Sequence, residues 1–230
     1  MWGLWNQNVA INQIVEPGYT LCWAAKWHGK RGIMFDSVHE STPRQMIKKV
    51  HGLLDEADVV CHYNGTKFDI PMLNGEFLLQ GFDPPSRFKE LDLLKTTRGR
   101  FRFPSNKLDY VVQQLGLGTK TKHMGMEMWK DCMDGCPKAW AVMKRYNIQD
   151  VRLLEKYYLK LLPWIKNHPN WGVYLDEKRP TCRNCGSKKV IMKGTETTDT
   201  MIYKRYKCNN CGAPLRGRTR TRPAPDGLTV

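Results

Sequence analysis

Apolar positions along this chain follow two rhythms, and each predicts a different kind of element. Residues 20–27 and 32–36 are apolar, aromatic-rich runs separated by a polar stretch containing Gly29, which predicts a β-hairpin. From Met46 through Val50 to Leu53 and Leu54 the spacing turns helical, with Thr42 as N-cap and Pro43 in the first position. Residues 59–62 form a short apolar run that predicts a buried strand. The helix after it holds Met72, Leu73, Phe77 and Leu78 and stops at Gly81. Ser105 is placed to cap a helix through Leu108, Val111, Val112 and Leu115. The longest helix is expected over 139–162, ended by Pro163 and the polar turn at 167–170. A hairpin followed by alternating strands and helices predicts an α/β fold, a mixed sheet covered by helices. No internal repeat is visible.

Composition narrows the class. The chain has 230 residues, enough for one ordinary domain with a small appendage, and 41% hydrophobic with 10% aromatic content is globular rather than disordered. The formal net charge of +15 favours a polyanionic partner, nucleic acid first. No apolar run is long enough to span a membrane, and residues 1–9 do not read as a signal peptide, so a cytoplasmic protein with no membrane partner is expected. The charge concentrates after Tyr174: from Lys178 to Arg222 thirteen Lys or Arg face two acids. The expected division is therefore a domain over 1–175, a small basic module over 176–213, and a flexible basic tail over 214–230.

Four of the eight cysteines form two Cys-x-x-Cys pairs, Cys182 with Cys185 and Cys208 with Cys211, each followed by glycine. That spacing predicts a closed, tetrahedral, structural Zn²⁺ site in a zinc ribbon, with 190–193 and 201–206 as its hairpin. A redox dithiol pair is the other reading. Lys188, Lys189, Lys204, Arg205 and Tyr206 would then present charge and a stacking ring to a nucleic-acid backbone. Cys22 and Cys61 lie in apolar runs and read as core residues. Cys132 and Cys136, near His123, form either a further metal site or, as their neighbours Gly135 and Pro137 favour, a loop.

Two further groups carry candidate chemistry. Asn64, Phe68 and Asp69 follow the strand at 59–62 and lead into a helix, which sets Asp69 at a sheet rim, as a helix N-cap or as a functional carboxylate. Tyr146 and Asp150 are four residues apart on the long helix, so phenol and carboxylate share a face; ion pairing of Asp150 with Lys144 or Arg145 is the plainer reading.

On these residues the chain resembles the DnaQ-like 3′-to-5′ exonucleases, a ribonuclease H-like family, in the subgroup with a tyrosine in its third motif. The resemblance covers most of 1–175. It implies that Asp69 and Asp150 bind Mg²⁺ or Mn²⁺ in a two-metal site and that Tyr146 orients the attacking water. By the same analogy Asn64 and Phe68 line the cleft against the terminal nucleotide. The partner implied is DNA at its 3′ ends, with a replication protein as a further partner in a bacterial or phage setting. The family's Asp-x-Glu on its first strand has no counterpart before Asp69, and residues 1–5 resemble the segment that follows that strand, so a sequence starting late is expected. The central place of that strand also predicts unpaired backbone groups inside the sheet. A non-catalytic nucleic-acid-binding module using the ribbon and tail is the alternative.

Overall fold

The computed structural model describes residues 18–120, 125–175 and 179–223. The chain divides into two compact units after Glu155, inside its longest helix. In the first unit the hairpin is β1 (Cys22–Ala25) and β2 (Met34–Ser37), paired antiparallel, with Gly29 at φ 77° in the connection. α1 (Pro43–Glu56) starts in a full capping box: the Thr42 hydroxyl accepts from the Gln45 amide and the Gln45 side chain accepts from the Thr42 amide. β3 (Val59–His62), α2 (Asp69–Leu79) and β4 (Lys89–Asp92) follow, and β3 and β4 run parallel. Next come α3 (Leu93–Arg100), α4 (Leu108–Gln114), α5 (Met126–Met133) and α6 (Pro137–Leu161).

Helices cover two faces of the strands. Met46, Ile47, Val50 and Leu54 of α1 are buried with Phe77 of α2, and Trp23 of β1 and Val60 of β3 pack on them. The Trp23 indole donates to the Met46 carbonyl at 3.0 Å. Cys22, the neighbour of Trp23 on β1, packs instead with Met128, Cys132, Trp140 and Met143 of α5 and α6, as strand alternation requires. Burial pushes the thiols of Cys22 and Cys61 up to about 12, as inert core residues should behave. Cys132 is buried in α5; His123 lies outside the described residues.

Among the described residues the strands of the first unit form two separate two-stranded ladders, so β1 and β3 each have a ladder partner on one side only. Residues 1–17 lie outside the described residues. Three expectations are corrected. Ser105 does not cap α4: its hydroxyl accepts from the Lys107 amide at 3.3 Å, Lys107 is the N-cap, and the helix begins two residues later than a Ser105 cap would place it. Asp150 pairs with neither Lys144, which bonds Glu40, nor Arg145. Finally, the stretch expected to be a flexible tail is β7 (Pro214–Pro223), the third strand of a sheet with β5 (Val190–Thr197) and β6 (Met201–Cys208) in the order β5-β6-β7. Backbone pairing with β6, which composition cannot show, orders it.

The second unit begins with the end of α6 and two 3₁₀ turns, Leu162–Trp164 and Trp171–Val173. Buried His168 is fixed at both nitrogens. The Pro169 carbonyl, at 2.6 Å, can only accept, so Nδ1 carries the proton and Nε2 accepts from the Tyr158 hydroxyl at 2.9 Å. The first cysteine knuckle is bound to this segment: Arg183 donates to the His168 carbonyl at 2.6 Å, and the buried Asn184 amide donates to the carbonyls of Leu162 and Ile165 at 2.6 and 3.0 Å. Asn184→Ala should therefore lower the unfolding free energy of this unit by about 1–3 kcal/mol, because two buried acceptors lose their donor. The denaturant midpoint measures it, and an unchanged midpoint contradicts it.

Candidate functional site

The candidate site of the first unit is built on the turn after β3. His62 Nδ1 accepts from the Gly65 amide at 3.1 Å, so the ring proton sits on Nε2, which faces Glu90 at 3.0 Å. Gly65 is the residue this turn tolerates, since a Cβ there would lie 2.6 Å from His62 Cγ. Asn64 adopts φ 66°, a left-handed conformation that asparagine enters more readily than most residues, and its amide donates to Asp92 Oδ1 at 2.9 Å. The same oxygen caps α3 through the Leu94 amide at 2.9 Å, so one buried carboxylate joins the turn to the next helix.

The turn delivers Phe68 and Asp69 outward. Phe68 occupies the N-cap position of α2 and is 51% exposed. Asp69 is the first residue of the helix, not its cap, and its exposed carboxylate has no hydrogen bond or ion pair among the described residues. The capping explanation for Asp69 thus fails.

Tyr146 and Asp150 lie on α6 with a third member, Lys120. Its ammonium is 2.6 Å from Asp150 Oδ2 and 3.3 Å from the Tyr146 hydroxyl, while its backbone amide donates to Asp109 at 3.2 Å. The other oxygen, Asp150 Oδ1, is buried without a hydrogen-bond partner. Burial pushes the Asp150 carboxyl above its usual range, against the pull of Lys120 and Tyr146. Burial, then Asp150, raises the Tyr146 phenol. For Lys120 burial acts downward, but Asp150 and Tyr146 outweigh it and hold the ammonium above the usual lysine range. Sequence reasoning missed Lys120, which lies in a loop with no local signal.

A buried, unpartnered carboxylate oxygen beside a proton-bearing phenol suits a hard divalent cation, which takes oxygen ligands. Among the described residues, however, no three carboxylates or histidines come within reach of one ion; the four cysteines are the only such group. Neither Asp69 nor Asp150 belongs to such a group among the described residues.

The cysteines are gathered as their spacing predicts. The sulfur of Cys182 is 3.7 Å from that of Cys211, Cys185 is 3.6 Å from Cys208, and all four lie within 4.8 Å of one another. A tetrahedron with metal–sulfur bonds of about 2.3 Å has edges of about 3.8 Å, so the group has the size of a four-thiolate zinc site. The two knuckles repeat one geometry. The Gly186 amide donates to the Cys182 carbonyl and the Gly212 amide to the Cys208 carbonyl, both glycines at positive φ. The four thiols share their protons unequally: burial pushes Cys182 up to about 11 and raises Cys211, whereas for Cys208 the amides of Cys211 and Asn210 and the neighbouring thiols outweigh burial and bring it down to about 7.

Of the sequence-predicted contact residues of the ribbon, Lys188, Lys189, Lys204 and Arg205 are exposed and Tyr206 is half-buried. The Tyr206 ring packs against Gly217, where a Cβ would sit 3.5 Å from it, and Arg205 Nε donates to the Lys193 carbonyl at 3.0 Å. In the stretch expected to be the basic tail, Arg216, Arg218 and Arg220 of β7 are exposed; Arg216 lies 4.6 Å over the Tyr203 ring and pairs with Glu196 at 3.6 Å, and Arg205 stands opposite it. The Arg-x-Arg-x-Arg alternation is a period-two signal that could have revealed this strand.

Residues 21–162 match the family described as the RNase_H superfamily, and the chain belongs to that superfamily. No curated protein matches the chain. Membership makes the first unit a nucleic-acid-binding, nuclease-type fold. No described helix is long and apolar enough to cross a membrane.

Proposed function

We propose that this protein is a divalent-metal-dependent 3′-to-5′ exonuclease of the DnaQ-like branch, acting on DNA in replication or repair, with a structural zinc ribbon. The observation that carries the reading is the buried Asp150 oxygen left without a hydrogen-bond partner beside Tyr146, together with an Asp69 carboxylate that has no capping role. Asp69 and Asp150 would hold Mg²⁺ or Mn²⁺. The bound cation would polarise the phosphodiester and lower the pKa of a water. Tyr146 keeps its proton at neutral pH and can donate to a water or phosphate oxygen. Asn64 and Phe68 stand on the same turn as Asp69, where the exposed ring can stack on a terminal base. Cys182, Cys185, Cys208 and Cys211 would hold Zn²⁺ with no open position.

A second reading, a nucleic-acid-binding module without catalysis, is favoured by one observation: Lys120 already neutralises Asp150, and no third described carboxylate joins it. Incubating the protein with a 5′-labelled DNA strand and Mg²⁺ or Mn²⁺ separates the two. Stepwise shortening from the 3′ end supports the exonuclease; tight binding of a strand that stays intact replaces it with the binding module.

Under either reading the β7 arginines meet phosphate. Neutralising Arg216, Arg218 and Arg220 to Gln should make affinity for a DNA strand less salt-dependent, by about 0.7 in log–log slope for each phosphate that no longer has an arginine opposite it. Titration of the strand at several salt concentrations reads this directly; a slope equal to that of the unaltered protein removes β7 from the interface.

A further inference from the structure

Residues 95–107 have no part in the site described above, yet they hold the densest charge of the first unit. Lys95, Arg98, Arg100, Arg102 and Lys107 occur with no acidic residue from Leu93 to Leu108. Arg98, Arg102 and Lys107 are exposed, and no described carboxylate forms an ion pair with any of the three. Cations in the last turn of a helix stabilise its free carbonyls, which accounts for Arg98 and Arg100 on α3. It does not account for Arg102 or Lys107, which lie beyond the helix.

These residues shape a groove. A cleft of about 530 Å³ runs along Arg98–Phe103 and Asn106, with the rings of Phe101 and Phe103 5.5 Å apart in its wall. Two hydrogen bonds fasten it to the turn that carries Phe68 and Asp69: the Tyr63 hydroxyl donates to the Asn106 carbonyl at 2.6 Å, and Lys95 donates to the Thr66 hydroxyl at 3.2 Å. Clustered like charges without a counterion repel one another, and a flexible polyanion relieves that repulsion as its own counterions are released. Interleaved aromatic rings beside such charges are what a single strand, with its exposed base faces, can use and a paired duplex cannot.

We propose that the groove lined by Arg98–Phe103 and Asn106 is a binding site for the backbone of a single-stranded polynucleotide, with phosphates on Arg98 and Arg102 and on Lys107, the residue after Asn106, and a base against the exposed ring of Phe68. The inference rests on the nucleic-acid reading of this unit and is independent of whether the unit hydrolyses its ligand. The strand passes from the Asp69 turn along the arginine-lined loop.

The test is fluorescence anisotropy of labelled single strands, DNA and RNA of one sequence in parallel, on the full chain carrying Asp150→Asn so that the strand survives any activity. No chelator is used, because it would strip the ribbon. Arg98→Gln with Arg102→Gln and Lys107→Gln should weaken binding about ten-fold or more and reduce the log–log salt slope by about two, three phosphates at about 0.7 each. Arg98→Lys with Arg102→Lys should keep the slope. Phe68→Ala should weaken binding about ten-fold with the slope unchanged. A loss with either strand supports the site and shows which sugar it accepts. Unaltered affinity and slope for both strands in the triple-Gln variant, with an unchanged melting profile, overturn it, and this result does not depend on the exonuclease assay.

Discussion

Replacing Asp150 with asparagine is expected to slow metal-dependent shortening of DNA 3′ ends by about 10³-fold while leaving strand binding nearly unchanged. The amide keeps the size of the side chain and its place on α6 beside Tyr146, but removes the charge that a divalent cation requires. In the native site Oδ2 bonds Lys120 at 2.6 Å and Oδ1 is buried and unpartnered, so the variant loses the open acceptor and leaves Lys120 facing a neutral group. That unpaired, largely buried cation should lower stability modestly, by about 1 kcal/mol, which a thermal melt will separate from the kinetic loss. The assay follows a 5′-labelled strand with Mg²⁺ or Mn²⁺. A variant as fast as the unaltered protein would remove Asp150 from the chemistry.

The second large effect is at the ribbon. Cys208→Ser should abolish zinc retention and unfold β5, β6 and β7 together, because the core of this sheet is little more than Cys182, Cys208 and Ala213, all fully buried. Three such residues cannot replace a metal site whose binding contributes about 10 kcal/mol or more to small zinc domains. Hydrogen exchange should show protection lost over 190–223 and kept in α1 and in the part of α6 before residue 155, since the two units are separately compact. Metal analysis gives the zinc content in the same sample. A metal-free Cys208→Ser protein with its β5–β7 amides still protected would mean that the sheet stands without zinc.

The pattern of the chain makes some of this architecture legible and hides other parts for identifiable reasons. α1 is readable because Thr42, Pro43 and the buried positions Met46, Val50 and Leu54 all agree on one helix. The knuckles are readable because a four-thiolate site demands fixed spacing and a turn that glycine supplies. β4 is not, since Lys89-Glu90-Leu91-Asp92 is too short to show a period and becomes a strand only by parallel pairing with β3. β7 reads wrongly as a tail because arginine-rich composition imitates disorder, whereas its order comes from a ladder with β6.

What the sequence alone determined is local: where α1 starts, which cysteines group, and that Tyr146 and Asp150 share one face of α6, as they do, four residues apart on the helix. Each of these follows from spacing within a few residues. Only the tertiary structure decided that Asp69 is not a cap, that Lys120 sits on Asp150, and that Arg98 to Phe103 line a groove beside the Asp69 turn. Those facts depend on loops closing over tens of residues, where the chain's entropy is overcome by packing and pairing that no local rhythm encodes.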